Sequence, residues 1–210
     1  EALFAAVRAA ARGDVIEVDS TWAPTEPVVR IHKELSLHGV GGVAPLPSLW
    51  VEGGVTVSLQ DVEIVGSAVA VAELPEHCGL LDAGPAAALC VTGATVSGRD
   101  VVLATRAGRG LYVQDGVVDL VRLDATGFSA QPAIQVGSTG MLVLDAALLA
   151  ANQAGAIAVV GGGVRVVDST FRGNAPSAAL GRGADLWAMN GTLVVEDSTF
   201  EGPLTAPTDG

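Results

Sequence analysis

Two segments near the end of the chain carry almost the same sequence. Residues 163–174 read GVRVVDSTFRGN, and residues 191–202 read GTLVVEDSTFEG. Each begins with Gly, continues through a valine-rich run to Asp-Ser-Thr-Phe, and places a charged residue before a further Gly. A repeated segment of this kind, an apolar strand followed by a polar corner, indicates a stacked building block and not a catalytic motif.

A similar pattern extends through most of the chain, with an aspartate following each apolar run. These aspartates are Asp61, Asp100, Asp124, Asp145, Asp168 and Asp197. The last five lie 24, 21, 23 and 29 residues apart, and the first interval of 39 residues contains both cysteines. Within a unit, strand-like pieces alternate with glycine turns, as in AIAVV, GGG and VRVVDSTF between 156 and 171. This period predicts a parallel β-solenoid, whose coils bury their inward side chains against one another.

Composition and charge limit the classes of partner. Half of the 210 residues are hydrophobic and 27 are glycine, which is far too apolar for a disordered chain. No stretch reaches the roughly 18 uninterrupted apolar residues of a membrane span. The formal charge is −12 with only eleven Lys and Arg. Because phosphate binding needs clustered cations, we expect neither nucleic acid nor an anionic membrane surface as a partner.

The two ends of the chain differ from its middle. Residues 1–13 place Leu3, Phe4 and Val7 on one helical face and end at Gly13, which predicts an amphipathic helix that caps the solenoid. We expect coils over 14–202 and a polar tail or linker over 203–210. The chain starts without Met or a signal peptide, so we expect a mature form or a segment of a longer protein. Acidic, lysine-poor chains rich in Gly and Val are often extracellular or located at the outer cell surface, and we expect the same here.

The two cysteines, Cys78 and Cys90, belong to a predicted insertion loop at about 72–90. In an exported protein, a disulfide between them is the natural expectation. Two buried free thiols are the alternative. A metal site that includes His77 would leave a tetrahedral ion short of ligands.

Several segments resemble known β-helix proteins. GDVIEV at 13–18 and IHKELSLHG at 31–39 resemble the first coils of right-handed parallel β-helices of the pectate-lyase-like superfamily. STFRGN at 169–174, GRGADL at 181–186 and AGRGLYVQDG at 107–116 resemble the repeats of polymorphic outer-membrane proteins and of myxobacterial β-helix proteins. The resemblance implies a single all-β domain of bacterial origin, a right-handed parallel β-helix of roughly six or seven coils.

Enzymes of that superfamily, as the resemblance implies, carry their catalytic groups on one long face. Alternation along GLYVQ, AIQVG, AIAVV and DLWAMN places one column of side chains outward. The candidate ligand-binding residues on this face are Tyr112, Gln114, Gln135 and Trp187. The aromatic rings of Trp22, Trp50, Trp187 and Tyr112 are candidates to stack on sugars, although all four could instead cover loops and coil ends. The column holds no carboxylate pair, His or Lys, so we expect no catalytic residue there.

The recurring aspartates are expected to accept backbone N–H groups at the corners of the coils. Calcium needs six to eight oxygens in one place, and one aspartate per coil offers it only a weak ladder of sites. We therefore expect no cofactor, with calcium as the weak alternative.

These patterns predict a non-catalytic scaffold, structural or adhesive, that presents a face to a polysaccharide or a surface protein. One alternative is a polysaccharide lyase or glycoside hydrolase of the pectate-lyase-like superfamily, which would need Asp or Glu clustered with Arg on one face. A second alternative is a module that stacks end to end through an uncapped last coil, unless a further C-terminal domain follows.

Overall fold

A computed structural model describes residues 2–66, 87–104, 108–176 and 184–202. Helix α1 spans Leu3–Ala9. The strands are β1 (Asp14–Asp19), β2 (Val28–Ile31), β3 (Leu35–Val40), β4 (Ala44–Leu46), β5 (Ser48–Glu52), β6 (Thr56–Ile64), β7 (Leu89–Thr92), β8 (Thr95–Leu103), β9 (Leu111–Gln114), β10 (Val117–Thr126), β11 (Ile134–Val136), β12 (Met141–Asp145), β13 (Leu148–Ala150), β14 (Ile157–Val160), β15 (Gly163–Val167), β16 (Thr170–Arg172), β17 (Leu186–Met189), β18 (Thr192–Glu196) and β19 (Thr199–Glu201).

The strands form two stacked parallel sheets. The long sheet has the main order β1-β3-β6-β8-β10-β12-β15-β18, and the short sheet has the order β17-β14-β11-β9-β7-β5-β2. In each sheet, neighbouring strands come from successive turns of the chain and pair in parallel. The seven strands of the short sheet mark seven coils in the described part of the chain. The predicted all-β parallel β-helix is therefore confirmed, whereas its right-handed sense stays a prediction.

The core lies between the two sheets. Inward side chains at equivalent positions of successive coils stack on one another and form columns. In the long sheet, Leu37, Leu59, Leu120 and Leu144 occupy one inward column and are fully buried. Gly98 stands in the same column, where a Cβ atom would lie only 2.8 Å from Leu120 Cδ2. In this coil, neighbouring side chains fill the space that a leucine occupies in the other coils of the column. Each coil thus buries its apolar residues only by stacking on the next.

A single residue in the left-handed backbone conformation forms the corner within each long-sheet coil from β6 onward. The corner residues are Asp61, Asp100, Arg122, Ala146, Asp168 and Asp197, with φ between 48° and 56°. Strand register aligns them in one column. Asp124 and Asp145 lie beside the corner and not at it, so the aspartate spacing located the corner wrongly in two coils.

In the last two described coils, the serines that follow the corner aspartates make backbone hydrogen bonds of the kind that the sequence predicted for the aspartates. Ser169 Oγ accepts the Ala147 N–H at 3.0 Å and donates to the Val167 carbonyl at 2.7 Å. Ser198 Oγ accepts the Ser169 N–H at 3.1 Å in the coil above. Aspartate is suited to the corner itself because it tolerates a positive φ better than most residues.

Two buried asparagines join three successive coils where the chain leaves the long sheet. Asn152 Oδ1 accepts the Phe128 N–H and its Nδ2 donates to the Ala125 carbonyl, both at 3.0 Å. Asn174 Oδ1 accepts the Asn152 N–H at 3.0 Å, and its Nδ2 donates to the Leu149 carbonyl at 2.9 Å. The amides satisfy backbone groups that the strand ladders leave unpaired.

The predicted N-terminal cap is confirmed and forms a layer of its own. Helix α1 packs over β2 at the end of the short sheet, and β1 begins the long sheet. Leu3 and Val7 are buried in the core, but Phe4, predicted on the same face, is 46% exposed. The helix ends at Ala9, earlier than the expected Gly13. Lys33 Nζ caps the C-terminal end of the helix by donating hydrogen bonds to the carbonyls of Arg8 and Ala10 at 3.1 and 2.8 Å.

The opposite end of the described solenoid is more open. Phe200 stacks on Phe171 with ring centroids 4.7 Å apart and planes 6° from parallel. Phe171 is fully buried, whereas Phe200 is 48% exposed. The phenylalanine column is therefore buried inside the solenoid and about half exposed in the last described coil.

Candidate functional site

The outward column predicted on the short sheet exists. Strand register places Tyr112 beside Gln135, Gln135 beside Ala158, and Ala158 beside Trp187. The same column continues in the other direction through Cys90. Gln114 lies two residues from Tyr112, and the Tyr112 hydroxyl donates to Gln114 Oε1 at 2.7 Å.

Much of this column is covered. Tyr112 is only 7% exposed and packs in a cluster with Trp50, Ala87 and Cys90. Burial raises the pKa of the Tyr112 hydroxyl. The hydroxyl is already bonded to Gln114, whereas Gln135 and Trp187 are half-buried. Ligand binding by these four residues stays a prediction.

The cysteine pair is only partly described. Cys90 is buried on β7, and no free cysteine occurs in the part of the chain that the structure describes. Cys78, His77 and the predicted insertion up to residue 86 lie outside the described residues. The disulfide between Cys78 and Cys90 stays a prediction.

A shallow groove of about 360 Å³ lies on the outer face of the long sheet, across β6, β8 and β10. We call it the serine–arginine groove. Its lining residues are Ser58, Leu59, Gln60, Ser97, Gly98, Arg99 and Val121. Ser58 pairs in register with Ser97, and Gln60 with Arg99. Adjacent coils therefore place two hydroxyls side by side and an amide beside a guanidinium.

The polar groups of the groove are largely uncommitted. Gln60 Nε2 donates to Asp61 Oδ2 at 3.1 Å, which leaves the amide oxygen as an acceptor. Ser58 and Ser97 make no side-chain hydrogen bond within the described residues, and neither does Arg99. The groove thus offers donors and acceptors that the fold itself does not use.

Arg99 differs from every other basic side chain in the described ranges. The others are committed in ion pairs (Arg12–Glu34, Arg30–Glu52, Arg122–Asp100, Arg165–Glu196, Arg172–Glu201), in ring contacts (Arg8 on Phe4, Arg109 on Tyr112) or, for Lys33, in helix carbonyls. Arg99 makes no ion pair within the described residues, and a guanidinium in that state beside a groove is available to an anionic ligand.

The Asp100 carboxylate next to the groove is already neutralised. Arg122 holds it with both nitrogens of its fork, Nε to Oδ1 at 2.5 Å and Nη2 to Oδ2. The hydrogen bonds from Arg122 lower the pKa of Asp100, and those same bonds raise the pKa of Arg122. The charge of Arg99 also lowers the pKa of Asp100, but it acts less strongly than the hydrogen bonds of Arg122, and no ion pair holds the Arg99 guanidinium within the described residues.

The arrangement suits a ligand with one carboxylate and several hydroxyls. An arginine fork binds a carboxylate with two parallel hydrogen bonds. Ser58, Ser97 and the Gln60 oxygen can bond the hydroxyls of a sugar ring. Across the described residues, no three His, Cys, Asp or Glu side chains come together to hold a metal ion. No described helix has the length and apolarity that a bilayer crossing requires.

Sequence reasoning missed Arg99 because its segment was noted only for the Asp100 that follows. A usable signal is present in the spacing. Arg12 and Arg30 each have a glutamate 22 residues later, one coil away, and Asp100 has Arg122 at the same distance. The residue 22 positions after Arg99 is Val121, which cannot pair with it.

Comparison with known proteins adds no relative: the chain matches no family model, no curated protein and no solved structure.

Proposed function

We propose that this chain is a non-catalytic, right-handed β-helix scaffold of the pectate-lyase-like type, located outside the cell or at its surface. It binds a carboxylate-bearing polysaccharide in the serine–arginine groove. The observation that carries the proposal is Arg99, a guanidinium that makes no ion pair or hydrogen bond within the described residues and lies beside the hydroxyls of Ser58 and Ser97 in a protein of formal charge −12.

The charge of the whole molecule narrows the ligand class. A dense polyanion is repelled by a strongly acidic protein, and the groove offers one free cation. A glycan whose carboxylates are separated by neutral sugars places one carboxylate on Arg99 and avoids this repulsion. We therefore assign a polysaccharide in which acidic and neutral sugars alternate, in preference to a homopolymer of acidic sugars.

Binding to immobilised hyaluronan, polygalacturonate and dextran tests the proposal. These probes represent an alternating acidic glycan, a homopolymer of acidic sugars and a neutral glycan. We expect the tightest binding to hyaluronan and at least a tenfold loss for Arg99→Gln, because a charge-assisted bidentate pair contributes about 1.5–3 kcal/mol. Arg172→Gln changes the net charge equally and should alter binding less than twofold. Equal losses in the two variants, or preferred binding to dextran, would contradict the proposal.

A second candidate, a polysaccharide lyase, is favoured by the adjacency of Arg99 and Asp100 on the long face. The resemblance implies catalytic groups on such a face, with Arg or Lys as the base and calcium held by carboxylates. The same three polymers should be incubated with and without calcium, and the ultraviolet absorbance of unsaturated ends followed. Turnover that Arg99→Gln abolishes would establish the lyase, whereas binding without turnover supports the scaffold.

A further inference from the structure

The cap layer contains a cleft of about 250 Å³ between α1 and β1. Leu3 and Ala6 of α1 form one wall, four consecutive residues of β1 from Ile16 to Asp19 form the other, and Trp22 lies at its side. The cleft exists because α1 covers the short sheet, where it contacts β2, and does not extend over β1. Among the described strands, the first strand of the long sheet therefore has a neighbour on one side only, β3.

The backbone of β1 presents hydrogen-bonding groups to this cleft. In a parallel ladder, alternate residues bond to opposite sides of a strand. Ser20 N–H donates to the Val40 carbonyl at 2.9 Å. Ile16 and Val18 lie four and two residues before Ser20, so their backbone N–H and C=O groups also point toward β3. The N–H and C=O groups of Glu17 then face the open edge and have no partner among the described residues. Such a free donor and acceptor pair is what an added strand uses.

The side chains around this edge separate into an apolar and an acidic set. Leu3 and Val18 are buried, and Ile16 and Trp22 are half-buried against the core. On the outer face of β1, Val15 is 54% exposed and the Glu17 and Asp19 side chains are exposed. Neither carboxylate belongs to an ion pair within the described residues, although Asp19 accepts hydrogen bonds from Thr21.

We propose that this cleft binds an extended polypeptide segment of a partner protein, which adds a strand to the free edge of β1. Alternate side chains of that segment are apolar and enter the cleft between Ile16, Leu3 and Trp22. The side chains between them are basic and pair with Glu17 and Asp19. This site is separate from the serine–arginine groove and does not depend on the glycan proposal.

The probe is a fluorescent peptide, acetyl-Lys-Val-Lys-Val-Lys-Val-Lys amide, whose binding is followed by anisotropy and by hydrogen exchange. We expect a dissociation constant in the micromolar range and slower exchange of the Glu17 amide on binding. A peptide with Glu in place of each Lys and a peptide with the same residues in blocks should each bind at least tenfold more weakly. Failure to bind at millimolar concentration, or binding without protection of the Glu17 amide, would overturn the proposal.

Two variants locate the peptide. Ala6→Trp fills the cleft and should weaken binding at least tenfold, with circular dichroism confirming that the variant is folded. Glu17→Lys lies on the exposed face and should weaken the Lys peptide while strengthening the Glu peptide. Asp119→Lys makes the same charge change four coils away and should alter binding less than twofold. If Asp119→Lys matches Glu17→Lys, the attraction is non-specific and the proposal is wrong.

Two further outcomes distinguish this proposal from self-association and from binding in the serine–arginine groove. If the protein self-associates in sedimentation and Ala6→Trp abolishes that association, the occupant is a second copy of this chain and the partner segment is refuted. Arg99→Gln should leave peptide binding unchanged. A loss in that variant would move the peptide to the groove and overturn the cleft assignment.

Discussion

Asn152 makes more hydrogen bonds than its position outside the strands suggests. It is fully buried, and its side chain satisfies Phe128 N–H and the Ala125 carbonyl in the coil below. We predict that Asn152→Ala lowers the free energy of unfolding by about 3 kcal/mol, because each buried group left unsatisfied costs roughly 1–3 kcal/mol. Urea denaturation measures this loss. Gln153→Ala, at the exposed next residue, should stay within about 0.5 kcal/mol. An equal loss there would refute the stabilising role of the Asn152 side chain.

The ion pair of Asp100 and Arg122 predicts a pH dependence of stability. The folded state lowers the pKa of Asp100 through the hydrogen bonds of Arg122. The stabilisation is therefore present above the unfolded pKa of about 3.9 and is lost as the pH falls through the folded value. Wild type should be more stable than Asp100→Asn at pH 7, and the difference should shrink below about pH 4 in urea titrations. A difference that is constant from pH 7 to pH 3 would contradict this prediction.

At the scale of elements, the corner between β12 and β13 is built from a residue that does not favour it. Ala146 has φ 53°, a conformation that costs an alanine roughly 1 kcal/mol. We predict that Ala146→Gly stabilises the protein by up to about 1 kcal/mol, reduced by the greater freedom of unfolded glycine. Ala147→Gly, at the next residue, which is buried and has no positive φ, should destabilise it by a similar amount. Calorimetry of both variants checks the sign, and two changes of the same sign would refute the corner assignment.

Elements were predictable where periodicity determines them, and so was the alignment of Tyr112, Gln135 and Trp187 in one column of the short sheet. The alternation of Val and Leu specifies the strands and the inward columns, and the apolar face of residues 3–7 specifies α1. The corner position was only partly predictable, because Arg122 and Ala146 occupy it in two coils where aspartates lie nearby. Arg99 was not recognised, because its importance depends on the side chains that adjacent coils place beside it.

At the scale of the whole molecule, stability should fall toward the more open end. Each coil is stabilised mainly by the coils on either side, and Phe200 is half exposed where Phe171 is sealed. We predict that amides of 186–201 exchange at lower denaturant concentration than those of 111–167, as seen by hydrogen exchange. Phe171→Ala should cost about 3–5 kcal/mol and Phe200→Ala clearly less. Uniform exchange along the solenoid would show that it unfolds as one unit.

The one-residue corner also determines where the chain can be edited. From β6 onward the long sheet turns on a single residue in every coil, whereas the connections that lead back to the short sheet vary widely in length. A foreign epitope inserted between Ser129 and Ala130, two exposed residues in the connection from β10 to β11, would project away from the stack and leave the alignment of the coils unchanged. One residue added beside Ala146 would instead turn the apolar side chains of the next strand outward. Insertions should therefore be tolerated in the connections that lead back to the short sheet, and not at the one-residue corners of the long sheet.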